Sequence, residues 1–209
     1  NNFLFLVEAT HNVRFEDFNL SSNSNSHYLK YFRVLGFCHN ISFDNLQITL
    51  PQTYSYAIHT GSSLGDGLSI QNCSFNGSGT AIAVEGSYYD NNRYNNITIN
   101  SNTFNGVTYP ISLKRSEAVH IGYNTFNNFN QAIYLENIGA DSEIHRNRMI
   151  TNTTGSSNAC VTLNHVNGTA DNPINILLNI IYLNIPSSSG NGLSITSSAY
   201  LQILHNTIV

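Results

Sequence analysis

Charge is what this chain has least of. Only 10% of its 209 residues are Asp, Glu, Lys or Arg, against about 25% in an ordinary soluble domain. Eight Lys and Arg set against twelve Asp and Glu leave a net charge of −4. A surface this poor in cations argues against a nucleic-acid partner, because neutralising phosphates requires a basic stripe. Long apolar runs are missing too. The longest, FLFLV at 3–7, is far below the length of a membrane span, and no signal segment is legible, so a secreted form would be the mature one. Three cysteines, Cys38, Cys73 and Cys160, have no metal-ligand spacing. They read as small buried apolar residues rather than a disulfide framework. His59, His120, His145, His165 and His205 are scattered without a metal motif, so neither a metal nor a cofactor is expected.

What the chain does have is one short sentence written again and again. The pattern apolar-x-apolar-x-x-Asn-x-apolar, its asparagine present in the last five copies, begins at Val13, Ile41, Leu68, Ile97, Val119, Ser142, Ile174 and Leu201, with steps of 28, 27, 29, 22, 23, 32 and 27 residues. Steps of that size, covering the whole chain, are the mark of a repeat architecture. Between the copies sits a second alternating run: LFL at 4–6, IAV at 82–84, ISL at 111–113, IYL at 133–135, VTL at 161–163 and LSI at 193–195. Alternation over three to five residues, bounded by Asn, Gly and Ser, predicts short strands with one buried face. No segment keeps a helical period.

A unit of this size cannot bury its apolar face alone and must stack on its neighbours. Parallel stacking puts equivalent residues above one another at a spacing of about 4.8 Å. Asn102, Asn124, Asn147, Asn179 and Asn206 then form a ladder at an inward bend, each amide bonding the coils on either side. Asparagine also tolerates the left-handed backbone of a sharp corner, which is expected at these same residues. Phe75, Phe104, Phe126, Met149, Ile181 and Ile208, two residues further on, form an apolar column. The outward file of the first strand, Arg14, Ser42, Ser69, Thr98, His120, Glu143, Asn175 and Gln202, is too mixed for an ice-binding face.

The stretches GTAIAV, YPISL and QAIYL, together with the Asn-x-Phe coils, resemble the repeat of the right-handed parallel β-helix proteins of the pectin-lyase-like superfamily. The resemblance covers essentially all 209 residues. It implies an all-β, single-stranded right-handed parallel β-helix, a β-solenoid of about eight rungs forming one domain over 1–209. Its members range from polysaccharide lyases and hydrolases to adhesins and structural surface proteins, so fold alone does not choose a function.

Loops on a rigid scaffold are where function usually lies. The connection that follows the second run is short at 114–118 and 136–141 but long at 85–96 and 164–173, which predicts a trough. Its expected floor carries Lys114, Arg115, Glu136 and Asn137; its walls carry Tyr88, Tyr89, Asp90, Arg93 and Tyr94 on one side, His165 and Asp171 on the other. Eleven of the 20 charged residues fall between Glu85 and Arg148. Tyrosine faces and charges suit a saccharide, while a stacked Glu85, Lys114 and Glu136 also reads as a solvated salt ladder. As catalytic candidates, Glu85 and Glu136 would lie two rungs apart, about 10 Å, at the outer edge of the inverting-glycosidase separation. Lys114 between them favours ionised carboxylates over a raised-pKa acid, and the paired aspartates and calcium-binding clusters of related enzymes are not found. Lys114 or Arg115 would serve as the base in a lyase.

The ends bear on function as well. LFL opens in phase with the later runs and LQILHNTIV closes within a rung, so no cap is legible at either end and both expose strand edges. The expectation is an extracellular or cell-surface solenoid that assembles end to end as a structural filament. The alternative is a polysaccharide-binding or polysaccharide-processing module of a larger secreted protein.

Overall fold

The computed structural model describes residues 2–21, 29–62, 65–87, 93–152, 159–184 and 190–209. Every strand pairing is parallel, and among the described residues there is no helix; none therefore is long and apolar enough to cross a membrane. The strands fall into three columns of eight stacked segments. The first holds 2–8, 29–35, 56–62, 80–85, 109–114, 133–138, 161–164 and 193–196. The second holds 11–16, 38–44, 65–71, 94–100, 116–122, 143–145, 174–177 and 201–204. The third holds 19–21, 47–51, 74–78, 103–105, 125–127, 148–151, 180–183 and 207–208. Eight segments make seven steps, so the chain is an all-β parallel solenoid of about seven turns.

Alternation along each strand turns one residue in two toward the axis, and parallel register then stacks like on like. Ile41, Leu68, Ile97 and Val119 form one such interior file. Phe75, Phe104 and Phe126 form another, their rings stacked at 5.1 and 4.8 Å, and Met149, Ile181 and Ile208 continue it. All but the last of these are buried.

The asparagine ladder lies at the corner between the second and third columns. The Oδ1 of Asn124 accepts from both the backbone N–H (2.9 Å) and the Nδ2 (3.0 Å) of Asn102. Its own Nδ2 donates to the carbonyl of Ile99 (2.9 Å) and to Oδ1 of Asn147 (3.0 Å). Asn147, Asn179 and Asn206 repeat the scheme, so each amide satisfies backbone groups that the bend would leave unpaired inside the core. Cys73 holds the same position one coil earlier, its N–H donating to Asn102 Oδ1 at 2.9 Å. Burial pushes its thiol up to about 11 and that of Cys160 up to about 12, and all three cysteines are free and buried.

Two expectations need correction. The left-handed backbone does not fall on the ladder asparagines but on the residue before each: Ser101, Tyr123, Arg146, Leu178 and His205, with φ between 52 and 57°. In the first coil, Phe5 and Val7 pair with Phe32 and Val34 and face the axis. Leu4 and Leu6 turn outward, Leu4 being 53% exposed, so LFL stands one residue out of phase with the later runs. Five consecutive apolar residues carry no alternation, and stacking on the next coil sets their phase.

Candidate functional site

Outward residues of the first column form three files. One runs Lys30, Tyr56, Thr80, Tyr109; the second Arg33, His59, Ala83, Ser112, Tyr134, Thr162; the third Glu85, Lys114, Glu136, Asn164. Three neighbouring positions, Thr80, Ala83 and Ser112, carry small side chains while Tyr56, His59, Tyr109 and Tyr134 stand around them. The result is a groove of about 310 Å³ with Glu85, Lys114 and Gln131 along its rim, at the lower end of the range for small-ligand sites.

Its polar groups are held in place. Tyr134 donates its hydroxyl to Glu136 Oε2 at 3.0 Å, and Lys114 Nζ reaches the same oxygen at 3.3 Å while lying 5.6 Å from the Tyr134 ring centroid. Partial burial acts against both charges, yet the bonds and charges of the cluster outweigh it. Glu136 is held below the usual carboxylate range by Tyr134 and Lys114, and Lys114 above the usual ammonium range by Glu136. Glu136 is therefore a fixed anion, not a proton donor poised near neutrality. At the other end the His59 ring meets Tyr56 edge-on at 4.9 Å, and Lys30 Nζ lies 3.5 Å from His59 Nδ1. Burial first, then Lys30 and Arg33, hold His59 down to about 4.

The expected trough differs from this groove. Glu85, Lys114 and Glu136 do stack in adjacent coils. Arg115, Asn137 and His165 instead make the left-handed corner beside them, with φ of 51, 54 and 54°. Arg115 Nε is spent on the Gly86 carbonyl at 2.9 Å. Arg93 braces the wall by donating to the carbonyls of Ser116 and Asn137. Tyr94 is not a wall residue: it is 0% exposed and packs in the core. Asp171 is exposed beside a tight turn between Thr169 and Asn172 and does not line the groove. Tyr88, Tyr89 and Asp90 lie outside the described residues.

Sequence reasoning missed Tyr56, His59, Tyr109, Gln131 and Tyr134. The signal was present: Tyr134 is the outward letter of IYL, and stacking the second runs places it in one file with Ser112 and Ala83. Among the described residues, no group of three His, Cys, Asp or Glu is arranged to hold a metal. His120 and His145 do share one oxygen of Glu143, at 3.2 and 3.4 Å. No family model, curated protein or solved structure matches the chain.

Proposed function

We propose that the chain is an extracellular or cell-surface β-solenoid that binds a polysaccharide along its first column. The observation that carries this reading is the groove itself: Tyr56, Tyr109 and Tyr134 line it, and Ser112, Thr80, Gln131 and the Lys114–Glu136 pair offer hydroxyl-matching donors and acceptors along the coil axis. Sugar rings present alternating apolar and hydroxyl surfaces, so aromatic faces beside fixed polar groups are complementary to them. An ionised Glu136 lacks the proton that the general acid of a glycosidase must give. The pectin-lyase-like resemblance of the coils, with its right-handed sense, agrees with a saccharide on the lateral face. The test is a glycan array followed by calorimetry. Tyr109→Ala and Lys114→Ala should each weaken binding about tenfold, on the scale of one lost stacking or charge-assisted contact. Full affinity in both variants would remove the groove from consideration.

A second reading, end-to-end assembly, is favoured by a separate observation. The axis-facing Phe5, Ile195, Ile203 and Ile208 are exposed on the first and last coils, beside strand edges able to template another strand. A contact of this kind between unlike faces does not close and grows as a fibre. Light scattering of the 209-residue chain should show growth with concentration that Ile203→Asp abolishes; a monodisperse monomer at high concentration would leave only the lateral function.

A further inference from the structure

The few cations of this chain are mostly committed. Arg14 pairs with Glu16 and Asp44, Arg93 with Glu117 and two carbonyls, Lys114 with Glu136, Arg115 with a carbonyl and Arg146 with the Tyr123 hydroxyl. Arg148 is exposed on the third column. Lys30 and Arg33 differ. Tyr31 and Phe32 are both buried, so the alternation of that strand slips and both cations face outward on one coil. Among the described residues neither has a carboxylate within ion-pair reach. Arg33 lies over the Phe3 ring at 5.9 Å, and its Nε is shielded from solvent without a hydrogen-bond partner. Lys30 sits over the Tyr56 ring at 5.5 Å and against His59, which the backbone register places directly beside Arg33.

We propose that Lys30, Arg33 and His59 form an oxyanion-binding subsite at one end of the groove, taking the carboxylate or sulfate of an acidic sugar. An oxyanion there gains two fixed cations and an imidazole on a partly apolar platform, the setting in which charge-assisted bonds are strongest. That the ligand is a sugar rests on the saccharide reading of the groove; the anion site itself does not.

The electrostatics point the same way. Burial and then Arg33 lower the Lys30 ammonium, with Glu85 acting weakly in the opposite sense, and His59 is held neutral by burial and these same two cations. Besides Lys30 and Arg33, the ionisable groups around His59 are Tyr56 on its own strand and Glu85, Tyr109, Lys114 and Tyr134 across the groove. A bound oxyanion offsets Lys30 and Arg33 and makes His59 easier to protonate. Binding is thereby coupled to proton uptake and tightens as pH falls toward 4.

The experiment follows the His59 ring protons of the full chain by NMR from pH 8 to 3, with sodium sulfate, glucuronate or glucose, at ionic strength matched with chloride. Sulfate and glucuronate should each move the His59 midpoint upward from about 4, and glucose and chloride should leave it in place. Lys30→Gln and Arg33→Gln should each weaken sulfate binding about tenfold while leaving any neutral oligosaccharide that needs Tyr109 bound. A midpoint unmoved by both anions overturns the subsite even if a neutral glycan binds the groove. A response to sulfate but not to glucuronate keeps the oxyanion site and overturns the uronic acid as its ligand. A shift with no glycan, neutral or acidic, bound on the array leaves the subsite standing and removes the saccharide reading.

Discussion

The first three coils and the last five turn the same corner by different chemistry. In all eight, one residue between the second and third columns has a φ between 51 and 58°. Coils one to three place Asp17, Asn45 and Asn72 there and follow them with Phe18, Leu46 and Cys73. Coils four to eight place Ser101, Tyr123, Arg146, Leu178 and His205 there and follow each with a ladder asparagine. Left-handed backbone costs an ordinary L-residue about 1 to 2 kcal/mol, and Asn or Asp less. Where the corner residue tolerates the bend, the interior position is free to be apolar. Where it does not, the next side chain supplies an amide that ties the bend to both neighbouring coils. The corner amides of the early coils bond carboxylates of the preceding coil: Asn45 Nδ2 donates to Asp17 and Asn72 Nδ2 to Asp44, at 2.8 and 2.9 Å.

If the inner ladder holds the later corners, Asn124→Leu should have the largest effect. It strands the buried N–H of Asn102 and the carbonyl of Ile99, at about 1 to 3 kcal/mol for each unsatisfied group, read as a lower denaturation midpoint. Next comes Asn72→Leu, which puts a branched residue on left-handed backbone and removes the bond to Asp44. A loss of about 1 to 2 kcal/mol is expected, and no loss would mean that Cys73 and its neighbours already fix the corner. Converting one solution into both should help: Leu178→Asn keeps the ladder and adds a tolerant corner, raising stability by about 0.5 to 1 kcal/mol. Calorimetry of that variant sharpens the comparison, since a neutral result shows that the ladder has already removed the strain. The smallest effect belongs to the half-exposed outer ladder. Asn105 donates to Asn76 and accepts from Asn127 on the third column, but water can replace those partners. Asn105→Ser should cost less than about 1 kcal/mol, and an effect equal to that of Asn124→Leu would refute the distinction between inner and outer amides.

The ladder was legible because asparagine recurs two residues before an apolar residue in five copies, a local pattern that needs no knowledge of loop lengths. The corner conformation was displaced by one residue because the side chain that compensates a bend and the residue that makes it are neighbours, and composition favours reading both roles into the asparagine. Tyr94 was misplaced because it follows a long loop; the strand begins with it, and its ring turns inward over Gly65, where even a methyl group would fall 2.3 Å from it.

By itself the sequence determined the repeat, the strand faces, the parallel stacking and the interior files, because alternation and recurrence act over a few residues and every coil must bury the same face. Only the tertiary structure decided where the groove lies and what lines it. Steps of 22 to 29 residues bring His59, Ala83, Ser112 and Tyr134 into one outward file, and a depression exists only where small outward residues in adjacent coils meet large ones. The phase of FLFLV and the outward pairing of Lys30 with Arg33 were settled in the same way, by the coil stacked against them.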